Sequence, residues 1–161
     1  MYSDSNSIRP DFIVSSATGE KQLLVEVKKW LPMPMQSGQH AVISHQRERT
    51  GLSNCYYLLV TPERMTLWPP ASAAQGNSIM RSATRQVRSA EVLANYLAIE
   101  RYPLTALSEQ ELSLIVSSWL GSVIFKPAAT LLSMPAQAWL VQSGVHEAIY
   151  RGYVRREQLA A

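Results

Sequence analysis

The chain has 161 residues, of which 47% are hydrophobic and 17% charged, a balance typical of a globular domain that can bury a core without disulfides or structural metals. The single cysteine, Cys55, excludes a disulfide framework and is expected to be a reduced, buried thiol, as in a cytoplasmic protein. The net charge of +3 permits binding to a polyanion without requiring it.

No stretch of the sequence predicts a signal peptide or a membrane span. The first apolar run follows Asp11 and is short, unlike the apolar region of a signal peptide. The uncharged stretch from Leu112 to Phe125 is too short to cross a bilayer, and the stretch from Pro127 to Val145 contains prolines and several polar residues. We therefore expect a cytoplasmic protein with no membrane contact.

The first predicted element is a β-hairpin with strands at about 9–16 and 21–29. Two apolar runs of strand length flank the polar turn Ala17-Thr18-Gly19-Glu20, which is typical of a hairpin. A turn centred between Thr18 and Gly19 places Asp11 opposite Glu26 and makes one face of the hairpin wholly apolar. The other opposed pairs are Phe12 with Val25, Ile13 with Leu24, Val14 with Leu23 and Arg9 with Lys28.

This register places Asp11, Glu26 and Lys28 together on the other face, because side chains alternate along a strand. Two carboxylates directly across a strand pair lie roughly 5 Å apart at Cβ and repel each other. A Mg²⁺ ion between them would remove the repulsion, since it prefers one or two carboxylates with waters and phosphate oxygens. The pattern indicates metal-assisted phosphodiester hydrolysis; the alternative is an ordinary exposed hairpin end of mixed charge.

The order Pro10-Asp11, hairpin, Glu26-Val27-Lys28 resembles the PD-(D/E)XK, or restriction-endonuclease-like, nuclease superfamily. The resemblance implies an α/β fold and a nuclease that uses Mg²⁺ or Mn²⁺ to hydrolyse DNA, with RNA as the second choice of substrate. Asp11 and Glu26 would hold the metal with the backbone carbonyl of Val27, and Lys28 would orient or deprotonate the attacking water. No glycine-rich phosphate loop, zinc-binding spacing or nucleophile elbow competes with this site.

Two other functions stay open at this point. The first is a catalytically inactive member of the same fold, which would bind nucleic acid or serve in the assembly of a complex whose partner supplies the chemistry. The second is a structural interaction domain with no role on nucleic acid.

A helix is predicted over about 38–50, with Ser37 as its N-cap. In the superfamily, the helix after the E-x-K strand often supplies a glutamine or a basic residue to the site. Gln46, Arg47 and His45 could therefore contact nucleic acid, and a solvated helix face is the alternative for each of them.

A second hairpin is predicted from the buried run Cys55–Val60, the turn Thr61-Pro62-Glu63-Arg64 and the alternating run Met65–Trp68, which Pro69-Pro70 ends. Two strands, a helix and two strands resemble most of the superfamily's core. That core usually begins with a further helix, often carrying an acidic residue, and a further strand. Too few residues precede Pro10 for both, so we expect a pared-down fold or another segment or subunit in that place.

The stretch 71–88 is predicted to be a loop or a lid. It contains Arg81, Arg85 and Arg88, which would share one face if the segment were helical. A phosphate-binding strip is one interpretation, because arginine forks suit bidentate phosphate contacts, and a solvated loop is the other.

The remaining residues are predicted to be mainly helical. Ser89 and Glu91 open a helix through about Ile99, and Ser108 and Glu111 form the capping box of the next one. The apolar stripe of that second helix follows the helical period, and we expect it to be core or subunit interface. The stripe comprises Leu112, Ile115, Val116, Trp119, Leu120, Val123 and Ile124. A homodimer or a partner subunit would therefore contact the helix at 108–125.

A further helix is predicted to start at Ser133-Met134-Pro135, with Trp139 and Leu140 as its anchors and an interruption at Gly144. A short helix or turn follows, and the tail from Tyr153 is expected to be a short strand or a frayed end.

We expect all these elements to belong to one domain. Its parts are a nuclease-like core at 1–70, the loop at 71–88 and a helical portion at 89–161 that packs on the sheet or at a dimer interface. The chain also resembles small uncharacterised bacterial proteins, which indicates that its two halves belong together and implies no particular activity. The shared stretches lie at residues 9–14, 26–28, 56–68 and 108–120.

Overall fold

A computed structural model describes residues 10–30, 53–71, 84–97 and 102–157. Its strands are β1 (Phe12–Ser15), β2 (Lys21–Val27), β3 (Tyr56–Val60), β4 (Arg64–Trp68), β5 (Arg85–Arg88) and β6 (Tyr153–Arg156). Its helices are α1 (Ser89–Val92), α2 (Glu109–Val123), α3 (Ala128–Leu132), α4 (Ala138–Gln142) and α5 (Val145–Ile149), with a 3-10 turn at Leu104–Ala106.

The six described strands form one mixed sheet in the order β5-β4-β3-β2-β1-β6. Strands β2 and β3 are parallel, and the other neighbouring strands are antiparallel. The chain is therefore an α/β protein, as expected. No helix in the described ranges is both long and apolar enough to cross a membrane.

The predicted register of the first hairpin is confirmed for three of its pairs, while Arg9, predicted to lie opposite Lys28, falls outside the described residues. Phe12 pairs with Val25, and the next two positions follow in step, with Ile13 opposite Leu24 and Val14 opposite Leu23. The register shifts by one residue at Ser15, next to the turn. Gly19 lies in that turn with φ of 92°, a left-handed conformation that glycine adopts without steric penalty.

The sheet separates two apolar clusters, because successive side chains point to opposite faces. The main core lies between the sheet and the C-terminal helices. It contains Phe12, Val14, Leu23, Val25 and Val27 of the first hairpin together with Leu112, Val116, Trp119, Leu120 and Val123 of α2. The apolar stripe of α2 is thus core of this chain, and the smaller cluster on the other face consists of Ile13, Leu24, Cys55, Tyr57, Leu59 and Trp68.

The second hairpin and the capping box are confirmed. Strands β3 and β4 pair antiparallel around the turn at 61–64, and β4 ends at Trp68, before the two prolines. At the start of α2, the Glu111 amide donates to Ser108 Oγ and the Ser108 amide donates to the Glu111 carboxylate. The hydrogen bond from the Ser108 amide to the carboxylate is the largest of the effects that lower the pKa of Glu111.

The prediction of a loop through residue 88 is wrong for residues 85–88, which form the edge strand β5 against β4. Val87 is the single apolar residue of this strand, and it packs against the main core. One apolar residue is too short a pattern to predict a strand from the sequence. Arg85 and Arg88 do not share a helical face. They point to opposite faces of the sheet, since they lie three residues apart in a strand.

Two helices differ from their predicted bounds. The helix from Ser89 was expected to run through about Ile99, but it ends at Val92 and continues as turns, in which Leu93 is buried. Residues 133–135 separate α3 from α4 and do not start a helix, because Pro135 has no N–H to continue the helical hydrogen bonding of α3.

The tail from Tyr153 is a strand. β6 pairs antiparallel with β1, with Ile13 opposite Arg155 and Val14 opposite Val154. A Cβ atom on Gly152, which precedes this strand, would lie 1.8 Å from the backbone oxygen of Ser15. Only glycine permits this close approach of the two strands.

We expect Gly152→Ala to lower the free energy of unfolding by about 3 kcal/mol, because the backbone of β1 or β6 must move to accept the methyl group. Gly121→Ala is the matched control. A Cβ at Gly121 meets nothing within 4 Å, and alanine favours the helix α2, so this change is expected to be neutral or stabilising by up to about 1 kcal/mol. Urea denaturation measures both, and equal stability of the two variants would contradict the close packing of β6.

Candidate functional site

The candidate site lies where β1 begins and β2 ends. The backbone amide of Asp11 donates to the carbonyl oxygen of Val25 at 2.7 Å, and the amide of Val27 donates to Asp11 Oδ2 at 2.7 Å. These two bonds reach the residues on either side of Glu26. Asp11 is therefore held beside Glu26 at the end of the hairpin.

Glu26 is a buried carboxylate in one of the two central strands, with 4% of its surface exposed. Its Oε2 accepts a hydrogen bond from the hydroxyl of Tyr57 on β3, and its Oε1 lies 3.5 Å from the Nζ of Lys28. The side chain of Lys28 is 37% exposed, so its ammonium group connects the buried carboxylate with the solvent. The structure thus brings Asp11, Glu26 and Lys28 together.

Tyr57 is a site residue that the sequence analysis missed. Its side chain is fully buried, and its ring contacts that of Trp68 with 5.7 Å between centroids. The run 55–60 predicts a buried strand, and a buried tyrosine needs a partner for its hydroxyl group. The sequence therefore indicated that the hydroxyl group of Tyr57 has a partner. It did not indicate which residue that partner is, because the parallel pairing of β2 with β3 decides it.

Burial raises the pKa of Glu26, because a carboxylate away from water favours its neutral form. The hydrogen bond from Tyr57 and the charge of Lys28 oppose this effect, and the charge of Asp11 adds to it. Burial also raises the pKa of Asp11, against the lowering effects of the Val27 amide and of Lys28. The two carboxylates are thus electrostatically coupled.

Two charged residues from the C-terminal half also act on Asp11. Glu109 is the first residue of α2, where its Oε2 accepts a hydrogen bond from the amide of Lys29 at 3.3 Å. Its charge raises the pKa of Asp11, and the charge of Arg156 on β6 lowers it. Sequence reasoning missed both residues, because no local pattern links positions 109 or 156 to the first hairpin.

The donor set fits a hard divalent cation such as Mg²⁺ or Mn²⁺. Asp11 and Glu26 supply two carboxylates. The N–H and C=O of one strand residue point the same way, so the carbonyl of Val27 lies on the side of Asp11, to which its amide donates. Among the described residues, no three His, Cys, Asp or Glu side chains are grouped to hold a metal. The site offers two carboxylates and a carbonyl, and Mg²⁺ completes such sets with water and phosphate oxygens.

Of the predicted nucleic-acid contacts, the two that the structure describes do not lie at these carboxylates. Arg85 and Arg88 lie on β5, which is separated from β2 by two strands and hence by roughly 14 Å. Arg88 is also 3.7 Å from Glu91, with both side chains exposed. A role of these arginines in nucleic-acid binding stays a prediction. Arg81, Gln46, Arg47 and the predicted helix at 38–50 lie outside the described residues.

Comparison with protein-family models, with curated proteins and with solved structures finds no match to this chain. The register of the hairpin and the charged groups at its end are the observations from which a function is argued.

We expect Glu26→Gln to stabilise the metal-free protein above acidic pH. In the wild type, the folded chain still holds a proton on Glu26 when the unfolded chain has released its own near the ordinary pKa of 4.5, so stability falls as the pH rises through the raised pKa. Glutamine keeps an acceptor for Tyr57 and removes this dependence. The gain should grow above pH 4.5, level off once Glu26 is ionised, and reach on the order of 1 kcal/mol.

Chemical denaturation in EDTA at a series of pH values measures this gain. Glu20→Gln, at an exposed position in the turn of the same hairpin, is the control and should change stability by less than about 0.5 kcal/mol. A gain for Glu26→Gln that does not vary with pH would contradict the assignment.

Proposed function

We propose that this protein is a divalent-metal-dependent nuclease of the restriction-endonuclease-like, PD-(D/E)XK type, which hydrolyses phosphodiester bonds in DNA, with RNA as its second choice of substrate. The observation that carries the proposal is that Asp11, Glu26 and Lys28 lie together where β1 begins and β2 ends. The spacing of these residues along the chain follows the P-D and E-x-K pattern, and the pairing of β1 with β2 brings their side chains to one end of the hairpin.

The burial of two coupled carboxylates supports a cation site. Burial raises the pKa of both Glu26 and Asp11, and the charge of Asp11 raises the pKa of Glu26 further. Burying two neighbouring carboxylates destabilises the fold, and a bound divalent cation would offset that cost. Asp11, Glu26 and the carbonyl of Val27 would hold the metal. When bound, the metal would polarise the scissile phosphate and favour deprotonation of an attacking water.

The protein's own residues would hold and complete this site. Tyr57 fixes one oxygen of Glu26 and so orients its carboxylate, as an outer hydrogen-bond partner does for a metal ligand. The amide of Lys28 donates to the carbonyl oxygen of Val60 at 2.9 Å, which fixes the Lys28 backbone in the sheet. Its ammonium group would orient the attacking water and offset the charge that develops on the phosphate.

The arrangement of the sheet also supports the proposal. The superfamily's core usually has a strand and a helix before the P-D strand, and the helix often carries an acidic residue. Here β6 lies next to β1, and α2 packs over the hairpin with Glu109 close enough to influence Asp11. Two elements of the C-terminal half thus lie against the P-D strand, which is consistent with the surroundings that the superfamily's core gives this strand.

One observation favours the second candidate, a nuclease-fold protein that binds nucleic acid without cutting it or serves in a complex. Both oxygens of Glu26 contact protein groups, namely Tyr57 and Lys28. If the contact with Lys28 persists when metal is present, Glu26 would be neutralised by lysine and the protein would bind nucleic acid without hydrolysis.

We expect the purified protein to cleave plasmid or linear DNA with Mg²⁺ or Mn²⁺, and Lys28→Ala to lower the rate on the order of 100- to 1,000-fold, because a positioned cation and proton carrier is lost. Lys21→Ala is the matched control, since Lys21 is an exposed lysine at the other end of β2. Gel electrophoresis of the products measures the rates. Cleavage that persists unchanged in Lys28→Ala would overturn the site, and binding without cleavage in the wild type would favour the second candidate.

We also expect Mg²⁺ or Mn²⁺ to stabilise the protein by mass action, by about 2.7 kcal/mol when the free metal is 100 times the Kd. Asp11→Asn should abolish this shift, because it removes one of two carboxylates. Thermal melting with and without metal measures it, and Glu20→Gln should retain the full shift. A shift of the same size in Asp11→Asn would show that the metal binds elsewhere.

A further inference from the structure

An exposed tryptophan follows the candidate site along the chain, two residues after Lys28. All four tryptophans of the chain lie in the described residues, and three are buried, with 4% of Trp68, 0% of Trp119 and 6% of Trp139 exposed. Trp30 is 77% exposed. An indole ring is among the largest apolar side chains in a protein, and tryptophan is enriched at binding interfaces.

Trp30 is close to the carboxylates along the chain and is carried by an anchored segment. It lies two residues beyond Lys28, hence within about 7 Å of backbone. The amide of Lys28 is bonded to Val60 on β3 and the amide of Lys29 to Glu109 on α2. The residues that lead to Trp30 are thus tied to the sheet on one side and to the helix on the other.

The charge next to the ring suits a nucleic acid. The Nζ of Lys29 lies 5.9 Å from the centroid of the Trp30 ring, and the half-exposed ammonium of Lys28 is two residues away. An aromatic ring next to lysines is a combination by which proteins bind single strands, since the ring stacks on a base while the cations contact the phosphates. In a duplex, the faces of the bases are already stacked on each other.

We propose that Trp30 stacks on an unpaired base next to the scissile phosphate, so that the site takes single-stranded nucleic acid or an unpaired segment of a longer one. Lys29 contacts the backbone of that strand. The inference rests on the proposed function only in that nucleic acid is taken as the ligand. What it adds is that the strand bound at the site is unpaired.

Intrinsic fluorescence tests this directly, because Trp30 is the one tryptophan whose ring a ligand can reach. The full chain is titrated in EDTA with an oligothymidylate of about 12 nucleotides, within the usual length of single-strand sites, and with a blunt duplex of equal length. We expect the single strand to quench the fluorescence and the duplex to leave it largely unchanged.

Variants at this position separate stacking from general attraction. Fluorescence anisotropy of a labelled oligothymidylate should show about 5- to 150-fold weaker binding for Trp30→Ala, the range that corresponds to the loss of one base stack. Trp30→Phe keeps an aromatic face and should bind within a few-fold of the wild type while losing the quenching signal. Both variants should melt as the wild type does, since the side chain is exposed.

The inference is overturned if the wild type does not bind the oligothymidylate, if Trp30→Ala binds it as tightly as the wild type, or if Trp30→Ala weakens duplex binding equally. Because EDTA prevents cleavage, the result is independent of catalysis. Stacking in a protein that never cuts DNA would refute the nuclease proposal alone, and cleavage with binding that is indifferent to Trp30 would refute the stacking alone.

Discussion

The carboxylate of Glu26 is buried in a central strand and needs partners from the protein, and the candidate site follows from that constraint. Every residue of β2 from Leu23 to Val27 is buried, including Glu26. The neighbouring strand supplies a hydroxyl group from Tyr57, the end of β2 supplies the ammonium of Lys28, and the opposite strand supplies Asp11. The strands β1, β2 and β3 must therefore pair in this register for Glu26 to find its partners. The same register places the carboxylate of Asp11 beside that of Glu26.

The two halves of the chain meet at this site. The N-terminal hairpins contribute the carboxylates and the lysine, while the C-terminal half covers the hairpin with α2 and extends the sheet with β6. Through Glu109 and Arg156, both of these elements influence the pKa of Asp11. A view of the protein as a nuclease-like core with an appended helical portion is therefore incomplete, because the appended portion adjusts the electrostatics of the core.

Sequence reasoning reached the parts of this site that depend on local pattern. The period of two along the first hairpin and the turn around Gly19 were sufficient to pair Phe12 with Val25 and to place Asp11 beside Glu26. It missed Tyr57, since a partner on a parallel neighbour is fixed by topology. The same reason applies to Glu109 and to the pairing of β6 with β1. Strand β5 was not predicted, because its single apolar residue cannot form the alternating pattern by which a strand is recognised.

The pairing of residues 12–15 with residues 153–156 has a consequence for the order of folding during synthesis. The first hairpin consists of local contacts and can form early, but the outer edge of β1 stays unpaired until nearly all of the described chain has left the ribosome. An open strand edge is a template for intermolecular association. Its late closure by β6 also delays the arrival of Arg156 beside Asp11, so a nascent or truncated chain would present the carboxylates in an electrostatic setting unlike that of the finished fold.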